Sequence, residues 1–461
     1  MSRQRPREVP VARDDEVTVS IDGFGDGPDS LGKFRDYVVF VPGALPGELA
    51  NVRITSAARK FGRGELLGIE RASPDRVEPR CAHFLHCGGC HRQHQAYPAQ
   101  LRSKQERLQR VIDRALGSAT VDVAPTVAAA GPYGERHKVV AHLLHDRDGR
   151  LVAGLHRARS PELEAIYECP ASDPLAWDLV ERTIELLNGL PHRAWDPWFA
   201  PQELLRSVLV RTTTIGEAHL VLVATKPEVP GFGDLLDELH RAGATTISVN
   251  HNDGDPARLL GPHTERWSGP PFVMEPLAGV RYRIAPTSFF QTSPRMAERL
   301  VEGVLEWLEP RRTDVVADLY CGVGLLTLPL AKRARTVFGI ERNPHAVADA
   351  RAAAAENGLD NVQFRAGHVA GWLAACRRGE LPRPQLVAMD PPREGLGQDV
   401  VDELAQLRPE RLAYVSCEPQ TLLQDLQALQ AAGFDVVRAV PYDMFPQTAL
   451  VESLVCLEAR R

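Results

Sequence analysis

Two side chains near the C-terminus carry the strongest chemical signal in the chain. Cys417, in Tyr414-Val415-Ser416-Cys417-Glu418-Pro419, stands just past a short apolar run that reads as a strand. Glu452, in Thr448-Ala449-Leu450-Val451-Glu452-Ser453-Leu454-Val455, is a carboxylate set in an apolar strand pattern. A thiol suits addition to an electron-poor double bond, and a carboxylate suits removal of the proton that such an addition loosens. Taken alone, each residue is more often structural than catalytic. A free thiol of pKa about 8.5 is only a few per cent thiolate at neutral pH, so local activation of Cys417 is expected.

A second constellation is Val315-Val316-Ala317-Asp318-Leu319-Tyr320-Cys321-Gly322-Val323-Gly324, an apolar strand entering a glycine turn, followed by a helical run from Leu325 to Ala331. Glu341 follows at the end of the next candidate strand, where an acidic side chain can accept both hydroxyls of an adenosine ribose. The third glycine of a dinucleotide fingerprint is absent, Thr327 standing in its place. That glycine serves helix packing beneath a pyrophosphate. S-adenosylmethionine has no pyrophosphate, so the departure argues for it over a nicotinamide or flavin dinucleotide. Asp390-Pro391-Pro392-Arg393 ends a later strand at the same sheet edge.

These residues need a sheet to present them. From Pro286 to Arg461, strand and helix patterns alternate as in a doubly wound α/β domain, with candidate strands at 315–319, 337–340, 385–389, 411–415 and 450–457. Upstream, residues 17–69 alternate apolar and polar side chains between Pro-Gly breaks, the pattern of a small β-barrel, with Arg59, Lys60 and Arg63 at its last turn. The middle stretch, 73–285, is mixed. Tyr97 to Leu116 reads as a helix with Leu101, Leu108, Val111, Ile112 and Ala115 on one face, arginines on the others and Gly117 as its stop. Leu205 to Thr213 and His219 to Ala224 read as a hairpin around Ile215-Gly216.

The spacing Cys81-x5-Cys87-x2-Cys90, with Gly88-Gly89 inside it, is dense for a chain with eight cysteines. Three thiolates need a fourth ligand, and Cys169 is the obvious cysteine. His83, His86, His91 and His94 keep zinc open as an alternative to an iron–sulfur cluster. A radical S-adenosylmethionine cluster would use another three-cysteine spacing. Cys321, Cys376 and Cys456 read as small core residues.

The strings Phe289-Phe290-Gln291, Asp318 to Gly324, Asp390 to Arg393, Ser416-Cys417-Glu418-Pro419-Gln420-Thr421-Leu422 and Phe445 to Glu452 occur in the order found in the RNA (uracil-5-)-methyltransferase family, which the chain resembles. The resemblance implies that Gln291, Tyr320, Glu341 and Asp390 line an S-adenosylmethionine pocket, that Cys417 is the nucleophile and that Glu452 is the proton-abstracting base. Residues 39–48 resemble the TRAM RNA-binding module. Members acting on ribosomal RNA carry a [4Fe–4S] cluster on a similar cysteine arrangement, which implies Cys81, Cys87, Cys90 and Cys169 as ligands. Three positions depart from the family: Leu325 where asparagine is frequent, and Gln447 and Leu450 where histidines are usual.

The fold expected is α/β: a C-terminal Rossmann-like class I S-adenosylmethionine methyltransferase domain (286–461), an N-terminal TRAM- or OB-like barrel (14–72) behind a flexible tail (1–13), and a central mixed α+β iron–sulfur domain (73–285), with helix 97–117 free to pack on the catalytic domain. The expected reaction is methyl transfer to carbon-5 of a specific uridine in structured RNA, 23S ribosomal RNA foremost. The alternatives are transfer RNA, or a non-catalytic RNA-binding assembly factor. The expected state is a monomer.

Composition narrows the field. The 461 residues carry a formal charge of −6, with 44% apolar and 25% charged residues, which excludes a disordered chain, a disulfide-stapled scaffold and an indiscriminate polycation. No apolar run approaches the roughly 18–20 residues of a membrane span. The first 16 residues carry Arg3, Arg5, Arg7 and Arg13 but no apolar signal core. A reducing cytoplasm is therefore expected, with cysteines as core residues, ligands or nucleophiles. Between Arg76 and Ala115, eight basic residues face three acidic ones, which predicts a confined basic surface for RNA.

Overall fold

The structure, a computed structural model, describes residues 9–117, 121–286 and 288–460. The first eight residues of the expected tail lie outside that range. The chain divides into two compact units, one of residues 1–100, 155–164 and 447–449 and the other of the remainder.

In the first unit, β1 (Glu16–Phe24), β2 (Ser30–Phe34), β3 (Tyr37–Val41), β4 (Leu49–Ala57) and β5 (Phe61–Arg71) close into a barrel of order β1-β2-β3-β5-β4. Period-2 alternation sends Val19, Ile21, Val39, Val41, Val52 and Ile54 inside, each almost fully buried. Gly32 and Gly64 are required by this closure. A Cβ at Gly32 would lie 2.2 Å from the Ser20 carbonyl oxygen, and one at Gly64 2.1 Å from Val52 Cγ1. Arg63 is no free surface cation: it donates to Asp29 at 2.8 Å and lies over the Phe40 ring.

The second unit opens with α1 (Tyr97–Leu116), whose stop, Gly117, adopts φ +64° as a C-terminal glycine does. A seven-stranded sheet of order β12-β11-β10-β9-β6-β7-β8 follows, built from β6 (Lys138–His145), β7 (Leu151–His156), β8 (Leu163–Ile166), β9 (Leu205–Thr212), β10 (Ala218–Ala224), β11 (Thr246–His251) and β12 (His263–Ser268). It carries α2 (Pro174–Leu187) and α3 (Leu236–Arg241). The expected hairpin is present, with β9 and β10 antiparallel and Gly216 at φ +81° in its turn. A two-stranded ribbon, β13 (Val273–Leu277) and β14 (Val280–Ile284), leads into the last sheet.

That sheet has the order β17-β16-β15-β18-β19-β21-β20. Its strands are β15 (Val315–Leu319), β16 (Thr336–Glu341), β17 (Val362–Ala366), β18 (Leu386–Met389), β19 (Arg411–Ser416), β20 (Phe434–Tyr442) and β21 (Glu452–Ala459). The first five are parallel, and β21 enters antiparallel between β19 and β20. One face packs on α4 (Pro294–Leu308), α5 (Thr327–Ala331) and α6 (Pro344–Glu356). The other packs on α7 (Val369–Arg377), α8 (Gln398–Leu407), α9 (Pro419–Ala431) and the apolar stripe of α1, through Leu108, Val111, Ile112 and Ala115. This is a Rossmann-like fold with helices on both faces.

Two strands, β17 and β20, escape the sequence pattern. In β17 only Phe364 is buried, and β20 carries Arg438 and Pro441 with a register shift between Val436 and Arg438. The last strand begins at Glu452 rather than Leu450, because Gln447 at φ +65° turns the preceding segment. Cys321, Cys376 and Cys456 are buried core residues as expected.

Candidate active site

The parallel strands deliver their carboxyl ends to one edge, and the turns beyond them gather the candidate residues. After β15, Tyr320, Gly322 and Gly324 all adopt left-handed φ, of +64°, +54° and +89°. The space beside Gly322 is open, which leaves the backbone bare toward a ligand. Glu341, last in β16, accepts from the Gly322 amide at 3.2 Å and the Asn343 amide at 2.7 Å. Thr327 explains the missing third glycine: its hydroxyl donates at 2.5 Å to Asp318, a carboxylate fully inside the sheet whose pKa burial pushes up to about 7. Gln291 is buried, on a segment whose neighbours Ser288 and Phe290 offer their carbonyls to Arg211.

At the carboxyl ends of β16 and β17 opens a cavity of about 540 Å³, lined by Ile340, Arg365, Gly367, His368 and Trp372 among others. Sequence reasoning missed it because β17 was missed. The Gly367-His368 step after a strand was its one signal.

The other half of the edge is set by register. Met389 pairs with Tyr414 and Ser416 pairs with Ser453, so one step beyond the ladder Cys417 falls opposite Glu452, with Asp390 at the end of the adjoining β18. Glu452 is 3% exposed, and its Oε1 is buried without a hydrogen-bond partner. Burial, and then the charge of Asp390, hold its pKa well above the carboxylate range. Burial pushes Asp390 up to about 7.

Cys417 does not show the expected resting activation. Burial first, and then the carboxylates of Glu452 and Asp390, push its thiol up to about 11, while the charge and hydrogen bonding of Arg393 pull the other way. The thiol of the free protein is therefore protonated at neutral pH, because burial, with two acidic neighbours, outweighs one guanidinium.

Cys81, Cys87 and Cys90 lie in the first unit and Cys169 in the second, all partly exposed and none in a disulfide. The Gly89 amide donates to Cys87 Sγ at 3.3 Å, and the Ser172 hydroxyl to Cys169 Sγ at 3.2 Å. Such donors suit thiolate ligands. Among the described residues, however, no group of three or more His, Cys, Asp or Glu side chains is gathered closely enough to hold a metal ion.

The basic surface predicted over 76–115 is smaller than its count. Arg76 is consumed by buried Glu48, Arg92 is buried over the Phe24 ring, and Lys104 is buried in an ion pair with Asp443. Of the departures from the family pattern, Leu325 packs on the core beneath the sheet, and its carbonyl accepts the Tyr282 hydroxyl at 2.9 Å. Gln447 exchanges side-chain and backbone hydrogen bonds with Gln100. Leu450 is exposed.

This combination of a doubly wound sheet, a glycine turn with an acidic strand end, and a thiol opposite a buried carboxylate defines a class of nucleotide-cofactor methyltransferase. Residues 11–67 match the TRAM domain, and residues 277–371 and 383–460 match the tRNA (uracil-5-)-methyltransferase family. An uncharacterized RNA methyltransferase of Halalkalibacterium halodurans is 32% identical over the full length of both chains. One of Thermosynechococcus vestitus is 33% identical over 96% of this chain and 97% of its own. The crystal structure of Pyrococcus abyssi tRNA (uracil-54, C5)-methyltransferase with S-adenosyl-L-homocysteine superposes with a TM-score of 0.75 at 27% identity, covering 95% of this chain and 99% of that one. The chain belongs to the RNA (uracil-5-)-methyltransferase family and carries an N-terminal TRAM domain.

Proposed function

We propose that this enzyme methylates carbon-5 of a specific uridine in structured RNA, with 23S ribosomal RNA as the substrate, through a covalent adduct of Cys417 with carbon-6. The observation that carries the reading is the register that sets Cys417 opposite Glu452, with an orphaned carboxylate oxygen on the latter. S-adenosylmethionine fits the chain by the bare backbone at Gly322, the carboxylate of Glu341 and the adjacent cavity, with Gln291, Tyr320 and Asp390 as further lining. When bound, it supplies an electrophilic methyl group.

The chain's own residues do the rest. Cys417 gives up its proton to water, its sulfur forms a bond to carbon-6, and the electron pair of the broken carbon-5–carbon-6 π bond makes carbon-5 nucleophilic. Carbon-5 takes the methyl group. Glu452, in its ionised form, accepts the carbon-5 proton, and the returning electrons rebuild the double bond as the sulfur–carbon bond breaks. The uridine must leave its stack, since the thiol approaches carbon-6 from above the ring.

A [4Fe–4S] cluster on Cys81, Cys87, Cys90 and Cys169 belongs to the same proposal, supported by the cysteine spacing and the hydrogen bonds to Cys87 and Cys169; zinc is its alternative. Its role would be to organise the fold, and no step above uses it. Ribosomal RNA is favoured by that spacing. The Pyrococcus abyssi relative, a transfer RNA enzyme, favours the second reading: the same chemistry on transfer RNA. No helix among the described residues is long and apolar enough to cross a membrane, and we place the enzyme in the cytoplasm with its RNA, as a monomer. Mass-spectrometric mapping of 5-methyluridine in both RNA classes from a deletion strain tests the assignment. Loss of one ribosomal site supports it, loss of a transfer RNA site selects the second reading, and an unchanged map overturns both.

A further inference from the structure

Asp425 sits in α9, the helix that follows Cys417, and Tyr414 sits three residues before Cys417 in β19. Both are buried. The Tyr414 hydroxyl donates to Asp425 Oδ2 at 2.5 Å, and the same oxygen accepts the backbone amide of Leu396 at 3.0 Å. The Leu396 carbonyl is held in turn by the Tyr320 hydroxyl at 3.3 Å. One residue, Leu396, is thus pinned through both of its peptide groups, by Asp425 of α9, which Tyr414 of β19 braces, and by the glycine-turn tyrosine.

The pinned residue directly follows a turn. The Gly395 amide donates to the Pro392 carbonyl at 2.9 Å, with Arg393 and Glu394 at the turn's centre. Gly395 has φ +84°, and a Cβ there would lie 2.5 Å from Asp425 Oδ2, so only glycine lets the backbone reach the carboxylate. A carboxylate withdrawn from water is costly to keep, and here it holds a loop amide rather than an ion-pair partner. That loop carries Arg393, the cation that opposes Glu452 and Asp390 at the Cys417 thiol.

We propose that Asp425, braced by Tyr414, is a positioning residue that fixes the Pro392–Gly395 turn so that Arg393 stays against Cys417. The inference rests on Cys417 being the reactive thiol, and it adds that its reactivity is set from α9 through Leu396. The groups facing the thiol are Glu452, Asp390 and Arg393, and Asp425 acts on it only through the last.

Alkylation of Cys417 by iodoacetamide, followed across pH by peptide mass spectrometry on the full-length, RNA-free enzyme, reads this without turnover. Asp425→Asn and Arg393→Ala should each move the midpoint of Cys417 alkylation upward by about one pH unit, roughly tenfold in rate at fixed pH. The double variant should move it no further than Arg393→Ala alone. Gly395→Ala, which strikes the carboxylate from the loop side, should reproduce the shift if Asp425→Asn folds poorly. A cooperative melt at lower temperature with the alkylation profile unmoved would overturn the proposal, as would additive shifts in the double variant. Failure of methyl transfer to depend on Cys417 would instead overturn the covalent reading and leave this result standing.

Discussion

Cys417 and Glu452 face one another one register step beyond the Ser416–Ser453 pair, at the point where β21 turns antiparallel to β19. Burial first, and then neighbouring acidic groups, raise the proton affinity of both in the free protein. The pair is a site held at high proton affinity, and a positive charge delivered beside it would lower that affinity.

Replacing the thiol separates chemistry from binding. Cys417→Ala should reduce labelled-methyl transfer to total RNA by at least about a thousandfold. Gel-shift affinity for the same RNA should stay within about twofold, because the barrel and the basic residues of α1 are untouched. Full turnover by this variant would end the covalent reading.

Glu452→Gln keeps the shape but cannot accept the carbon-5 proton. Attack and methyl transfer remain open while elimination is blocked, so an RNA–protein adduct that survives denaturing electrophoresis should accumulate. Its absence, at normal RNA binding, would count against Glu452 as the base.

The rate should follow the carboxylates. Burial pushes Asp390 up to about 7 and raises Glu452 as well, and the proposed steps need a thiolate and an ionised base. Single-turnover methyl transfer should therefore climb as pH rises from 6 toward 9, on the order of tenfold per unit on its acid limb. A profile flat over that range would show that both groups ionise before the chemical step.

Asp318 makes stability depend on pH in a defined sense. Its folded pKa of about 7 lies above the 3.8 of an ordinary aspartate, so the folded state binds an extra proton between those values. Stability from this group is full below pH 4 and declines as pH rises to 7, with a slope of at most about 1.4 kcal/mol per unit. Denaturant titrations of Asp318→Asn should show a flatter dependence over that window, and an unchanged slope would assign the effect elsewhere.

Lys104 and Asp443 form a buried ion pair, and Lys104 also donates to the Phe445 carbonyl at 3.0 Å, tying α1 to the segment that leads toward Glu452. Lys104→Met leaves Asp443 buried without that cation and should cost about 3–5 kcal/mol in denaturant unfolding. Adding Asp443→Leu should recover part of the loss, and no recovery would mean that the cost lies in packing.

Much of the site was legible along the chain because its parts are local. A strand running into Gly322 and Gly324, a carboxylate in an apolar strand and a cysteine just past one are patterns of neighbouring residues. β15, β19, the barrel and the β9–β10 hairpin follow from alternation and turn chemistry. β17 and β20 did not, because one is short with only Phe364 buried and a shifted register interrupts the other.

The sequence by itself determined which chemical groups are present, which elements carry them and which family's order they share. Only the tertiary structure decided what those groups feel. It buries Arg92 and Lys104 and pairs Arg76 with buried Glu48 where a charge count expected free surface cations. It buries Cys417 and sets Glu452 and Asp390 beside it, and so raises a thiol that sequence reasoning expected to be activated. Proton affinity and cation exposure depend on groups brought together from distant parts of the chain, and on the water excluded when they meet, neither of which is encoded in local spacing.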